Sequence, residues 1–324
     1  MARRTWSLRS STFCTSSETI RPAALCSTWL ALGQTECQSI AVTTPVLAAE
    51  LGDWREVAEG VYLLVAEPAA VNLSLVVGSD AALVVDAGSS PAQGRALRAA
   101  VGAVTDRGLT AVVATHWHFD HAFGLAGFDG VQTVAHESVR SRLASVEAAE
   151  DAARLGLSTA ELTLPTRGLA LAAAFDLGGG RRVEVAHLGR GHTDGDLLVV
   201  VPDADLVFAG DLIESAGPPS YGPDSFPHEW AATLDGLIGL MTSTTRAVPG
   251  HGEPVDREFV FGQRGRIAAV SGEITRLAGL GVSVEQAESR GDWALPFSSV
   301  RPGLAAGYSQ VRAQSGRHRS LPLA

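Results

Sequence analysis

The hexapeptide His116-Trp117-His118-Phe119-Asp120-His121 places four potential metal ligands in six consecutive positions. Imidazole and carboxylate suit zinc or iron, and no thiolate stands among them to favour a softer metal. Four donors so close in sequence cannot readily all close on one tetrahedral ion, so the natural reading is a two-metal site. Two cations there bring the pKa of a coordinated water down to about 7 and polarise a carbonyl or phosphoryl oxygen, which is the chemistry of hydrolysis at neutral pH.

The elements that would position these donors can be read from the flanking residues. Ala111-Val112-Val113-Ala114-Thr115 is a short apolar run bounded upstream by Gly108, the pattern of a buried strand ending where the histidines begin. Three later segments repeat the arrangement of an apolar run leading to a donor beside glycine, a residue that permits close backbone approach. Arg182 to His187 leads to Gly191-His192-Thr193-Asp194-Gly195-Asp196, Leu206 to Gly210 leads to Asp211, and Ala247-Val248-Pro249-Gly250 leads to His251. The candidate ligands are therefore His116, His118, Asp120, His121, His192, Asp211 and His251.

The order HxHxDH, GHTxGD, a strand-ending Asp and PGHG, preceded by Val84-Val85-Asp86-Ala87-Gly88, resembles the metallo-β-lactamase-fold hydrolase superfamily over about residues 53 to 255. The resemblance implies a zinc-dependent hydrolase on a four-layer αββα sandwich, with helices covering two sheets packed face to face. It also implies that His116, His118 and His192 hold one metal, that Asp120, His121 and His251 hold the other, and that Asp211 bridges them. Asp120 would orient the zinc-bound hydroxide and pass a proton to the leaving group. Two zinc ions per chain are expected, with iron or manganese as other metals for the same donors. A bridging aspartate makes the chain look more like the glyoxalase II-like branch, which cleaves esters, thioesters, lactones or related bonds, than like true β-lactamases. The rival readings are a β-lactamase and a persulfide dioxygenase-like enzyme with one iron held by two histidines and an aspartate.

Around the ligands, Asp86 and Thr193 are expected to orient histidines from behind, with Asp196 of similar status. The Pro- and Gly-rich stretch from Ser215 to Pro227 begins just after Asp211, so it is expected to border the pocket. In and after it, Tyr221 is a candidate oxyanion donor and His228 a candidate pocket residue, whereas Trp230, Leu234 and Leu237 read as the buried stripe of a helix from about His228 to Met241. His136, His187 and His318 match no motif and read as structural or surface groups.

The chain has 324 residues and a formal charge of −10, and all 25 of its basic residues are arginine. An acidic chain without basic runs is poorly suited to grip nucleic acid, so a small-molecule substrate is the expected partner. No run approaches the ~18 apolar residues of a membrane span, which argues against an integral membrane protein. Residues 1–52 are rich in Ser and Thr and carry Cys14, Cys26 and Cys37, whose spacing fits no zinc or redox pattern. Arg3, Arg4 and Arg9 ahead of the mildly apolar Ala23 to Leu32 faintly resemble a signal peptide without a crisp cleavage site, so the reading is a disordered leader on a cytoplasmic protein. A catalytic domain over 53–256 and a helical C-terminal extension over 257–324 complete the expected organisation. Hairpin strands near Val61, Leu73 and Ala82, helices over Pro91 to Val104 and His136 to Leu155, and further strands at Arg182, Leu197 and Leu206 fill the domain. A long helix from Arg257 to Leu280, a capping-box pattern at Ser283 to Gln286 and a last short helix after Arg301-Pro302 fill the extension.

Overall fold

The computed structural model describes residues 50–317. The three cysteines, the Arg3 to Leu32 stretch and His318 lie outside them, as does nearly all of the expected leader. Among the described residues the strands are β1 (Arg55–Ala58), β2 (Val61–Ala66), β3 (Val71–Val77), β4 (Ala81–Val85), β5 (Gly108–Val113), β6 (Gln132–His136), β7 (Arg167–Leu169), β8 (Ala172–Asp176), β9 (Arg182–Ala186), β10 (Leu198–Val201), β11 (Leu206–Glu214) and β12 (Arg246–His251). The α-helices are α1 (Pro91–Val104), α2 (Phe119–Ala122), α3 (Val139–Leu143), α4 (Val146–Arg154), α5 (Trp230–Leu240), α6 (Arg257–Gly279), α7 (Ala287–Arg290), α8 (Phe297–Val300) and α9 (Leu304–Arg317).

The strands form one hydrogen-bonded ladder in the order β7-β6-β5-β4-β3-β12-β11-β10-β9-β8, with β2 also on β3 and β1 on β2. Its two halves join at a single register pair, His251↔Val71. Because side chains alternate along a strand, each half has two faces. Val61, Leu63, Leu83, Val85, Ala111 and Val113 of the first half share one buried cluster with Val183, Val185, Val199, Phe208 and Val248 of the second. The opposite face of the first half, including Leu73, Leu75, Val84 and Val112, packs on Leu97 and Val101 of α1 and on Val139 and Leu143 of α3. The opposite face of the second half, including Leu198 and Val207, packs on α5 and α6. Helix, sheet, sheet and helix are thus the four layers expected from the sequence, although the ladder runs on from one sheet into the other.

Several expected elements hold and others shift. Helix α1 spans Pro91–Val104 as expected; Ser90 caps it through a hydrogen bond from Gln93 N, and proline occupies its first turn. Trp230, Leu234 and Leu237 are fully buried on α5, the stripe its spacing predicts. The single helix expected over His136 to Leu155 is instead the end of β6 followed by α3 and α4. Ser145 breaks it, because its hydroxyl accepts from Ala148 N and starts a new helix. Ser283 begins a short 3-10 turn, Val284–Gln286, without a side-chain cap. The last helix, α9, runs for 14 residues. Val260, Ile267, Val270, Ile274, Leu304 and Tyr308 share one cluster with β10, β11 and α5, so the helices after residue 257 supply the fourth layer itself.

One close contact braces the ligand-bearing hexapeptide from below. A Cβ on Gly94 of α1 would lie 1.9 Å from the Gly124 carbonyl oxygen, and one on Gly124 would lie 1.8 Å from Ala87 O. Both neighbours are backbone and cannot swing aside. Gly94→Ala should therefore destabilise the chain by about 3 kcal/mol, read as a lower denaturant midpoint at unchanged m-value. An unaltered midpoint would show that the contact is slack.

Candidate metal centre

The candidate ligands come from the ends of several strands. Strand β5 ends at Val113, just before His116; β11 carries Asp211, and His251 closes β12. His192 sits in the loop between β9 and β10. Two groups of donor atoms result: His116, His118, His192 and Asp211 in one, and Asp120, His121 and His251 in the other, the atoms of each lying within 4.8 Å of one another. All seven expected ligands are therefore brought together.

Within the first group His118 Nδ1 stands 3.1 Å from His116 Nε2 and 2.8 Å from His192 Nε2. Within the second, Asp120 Oδ2 is 3.2 Å from His251 Nε2 and 3.7 Å from His121 Nε2. Asp211 reaches both, with Oδ2 at 3.4 Å from His192 Nε2 and Oδ1 at 3.2 Å from His121 Nε2. Gly250 makes room for it, since a Cβ there would lie 1.8 Å from Asp211 Oδ1.

Each ring is held by its other nitrogen. His121 Nδ1 is 2.9 Å from Asp86 Oδ2, and His118 Nε2 is 3.2 Å from Asp224 Oδ2. The Nδ1 atoms of His192 and His251 lie 3.0 and 3.2 Å from the carbonyl oxygens of Ser220 and Ala70, and His116 Nδ1 is 3.2 Å from Thr115 Oγ1. A ring that donates at one nitrogen presents a lone pair at the other, and all five lone pairs then face inward. His121 Nε2 and Asp211 Oδ1 are buried and face each other at 3.2 Å outside good hydrogen-bond geometry, with no other partner for either atom. Buried polar atoms are almost always satisfied, so orphans at the focus of seven donors fit a cation.

The electrostatics follow from burial and from the carboxylates. Burial holds His192 down to about 4 and lowers His116, with the charge of His121 adding to the latter. Burial also opposes charge on His121, His118 and His251, but Asp86, Asp120 and Asp211 raise the first, Asp224 raises the second, and Asp120 and Asp211 lift His251 to about 9. The carboxylates thus make the pocket a place that favours positive charge.

Asp86 is positioned as a support for His121, itself receiving hydrogen bonds from Thr115 N at 2.7 Å and from Thr115 Oγ1 at 3.0 Å. Thr193 hydrogen-bonds to Asp196 and not to a ligand ring; its Oγ1 donates to Asp196 Oδ1 at 2.7 Å and its N to the same carboxylate, which shapes the turn carrying His192. Burial pushes the Asp196 carboxyl up to about 7. Tyr221 does not reach the pocket: it is fully buried in the cluster beneath α5, with its ring 5.0 Å from that of Trp230 and its hydroxyl unpartnered. Its apolar ring fills core volume, which removes it from the role of oxyanion donor. His228 also turns away, with Nδ1 at 2.8 Å from Ser271 Oγ and Nε2 at 3.1 Å from Gly307 O, joining the segment before α5 to α6 and α9. His136 stacks on His187 with ring centroids 4.2 Å apart, away from the ligands.

Two residues in the site escaped the sequence reading. Asp224 accepts from Trp117 Nε1 at 2.7 Å while holding His118, and those contacts keep its carboxyl well below the usual range despite burial. It lies in the expected pocket loop, where no periodicity marks one position above another. Asn72 donates from Nδ2 to the carbonyls of Pro249 and Gly252 at 2.9 and 2.7 Å, clamping the turn around His251. Asp224→Asn should weaken metal affinity and turnover about 10- to 100-fold, checked by a chelator-competition titration and initial rates, with unchanged affinity counting against the role.

Comparison with known proteins agrees with this geometry. The family model for the metallo-beta-lactamase superfamily matches residues 66–251, more than half of the chain. The type 2 metallo-beta-lactamase of Bacillus cereus is 29% identical over 85 residues, 26% of this chain and 33% of that protein, so the match spans about a third of the relative's length. The type 2 enzyme of Bacteroides fragilis is 26% identical over 196 residues, 58% of this chain and 72% of the relative. Among solved structures, a metallo-beta-lactamase from Pontibacter korlensis superposes with a TM-score of 0.56 at 20% identity, covering 68% of this chain and 99% of that one. The DIM-1 metallo-beta-lactamase gives the same TM-score, identity and coverage, and at this identity both show the fold alone. No described helix is long and apolar enough to cross a membrane. With the match to its family model, the αββα layers and the convergent His/Asp cluster, the chain belongs to the metallo-beta-lactamase superfamily.

Proposed function

We propose that the chain is a zinc-dependent hydrolase with a dinuclear site, cleaving an ester, thioester, lactone or related small-molecule bond. One observation carries the reading: Asp211 stands between the two donor groups, within 3.4 Å of His192 Nε2 on one side and 3.2 Å of His121 Nε2 on the other. His116, His118 and His192 would hold one cation, Asp120, His121 and His251 the second, and Asp211 both. Bound there, two cations supply Lewis acidity and bring water's pKa into the neutral range. The side chains do the rest. Asp86, Asp224 and the carbonyls of Ser220 and Ala70 fix the tautomers. Asp120, whose Oδ2 lies 3.2 Å from His251 Nε2 on the cation side, would use its other oxygen to orient the attacking water, take its proton and return it to the leaving group.

Asp211 also supports the glyoxalase II-like branch, where the resemblance implies a bridging aspartate. The names of the Bacillus and Bacteroides relatives support β-lactam hydrolysis as the second reading. Metal analysis with a panel of thioesters, lactones, phosphodiesters and β-lactams tests the proposal. About two zinc ions per chain with turnover of esters or thioesters is the expected result. One iron with oxygen uptake, or turnover confined to β-lactams, would overturn it.

A further inference from the structure

A cavity of about 660 Å³ opens beside His118, within the usual range for a small-molecule pocket. Trp117, Phe226 and Pro223 give it an apolar side, α4 an acidic one, and Ala306, Ser309 and Gln310 of α9 close the remaining wall. Its charged groups are His118, Arg142, Glu147, Glu150, Asp151, Arg154 and Asp224. Most are already committed. Arg142 donates from Nη2 to Asp194 Oδ2 at 2.6 Å, Arg154 pairs with Asp151, and Asp224 is held by Trp117 and His118. Glu147 and Glu150 are exposed; the Ser145 side chain and Glu147's own backbone N–H hydrogen-bond the Glu147 carboxylate, and among the described residues neither glutamate stands in a close ion pair with an arginine.

Resting on the hydrolase reading above, we propose that this cavity receives the non-reacting arm of the substrate and selects a cationic or neutral arm over an anionic one. A carboxylate or phosphate entering here meets the exposed carboxylates of Glu147 and Glu150 and two arginines already paired with aspartates, which is a repulsive element against that class. An ammonium group meets the same carboxylates and an aromatic wall, both favourable. The α9 wall also makes part of the specificity a property of the C-terminal helices.

Three thioesters sharing one acyl group test this on the metal-loaded enzyme: those of thiocholine, mercaptoethanol and mercaptopropionate. We expect kcat/KM to fall in that order, by about tenfold from first to last, and the spread to shrink at high salt. Glu147→Gln with Glu150→Gln should bring the ratio of the two charged substrates toward one. Ser309→Trp, at an exposed position on α9, should raise KM for all three with metal content intact. Binding gives a second readout without turnover: benzyltrimethylammonium should bind the metal-free chain about tenfold more tightly than phenylacetate. If the mercaptopropionate ester is cleaved best, the hydrolase reading stands and the cavity proposal falls. If no thioester, lactone or other ester is cleaved, the hydrolase reading falls, and the binding ratio decides the cavity alone.

Discussion

Replacing Asp211 by asparagine should reduce the metal retained from about two ions per chain to one, and lower turnover at least about a hundredfold. The expectation follows from position: among the described residues this carboxylate alone stands within 4 Å of histidines from both donor groups. Asparagine keeps the shape but removes the charge that offsets two cations, and its amide nitrogen cannot act as a ligand to either. Elemental analysis after passage through metal-free buffer, with initial rates and circular dichroism on the same sample, would check it. Two ions retained with full activity would refute the bridging role. The neighbouring Gly250 offers a control in the same place, because Gly250→Ala puts a methyl group where Asp211 Oδ1 now lies.

Stripping the metal should lower thermal stability by a large margin. A ligand at a thousand times its dissociation constant adds about 4 kcal/mol, which for a chain of this size corresponds to roughly 8 °C or more in Tm. The stripped site would be left with buried donors facing one another, His121 Nε2 and Asp211 Oδ1 among them with no better partner than each other. Differential scanning calorimetry before and after chelation, then after zinc is restored, measures the shift. A Tm that ignores the chelator would mean that the donors close no site in solution.

Much of this centre was legible because its signals are local. A ligand cluster six residues long, and donors that follow apolar runs beside glycine, can be read without knowing the fold, and the order of motifs then suggested which runs converge. Helix α1 was equally plain, since Pro91 marks its start by its own chemistry. What escaped depends on contacts distant in sequence. Asp224 is one polar residue in a loop without period, and only folding sets it against Trp117 and His118. Tyr221 and His228 carry groups suited to catalysis, yet their use is decided by burial and by α6 and α9, elements far along the chain. The break at Ser145 was missed for the opposite reason: the local cap overrides a composition that favours one long helix.

The junction of the sheet halves has a mechanical consequence. Among the described residues one register pair crosses it, His251↔Val71, and close by Asn72 donates to the carbonyls of Pro249 and Gly252, His251 Nδ1 lies near Ala70 O, and Arg55 pairs with Glu253. The residue that stitches the two leaves is therefore itself a donor, and a cation gripped by His251 together with Asp120 and His121 would act as a rivet through a hinge. Amide hydrogens along 70–72 and 249–252 should then exchange faster once the rivet is pulled, well before the interior of either leaf loosens.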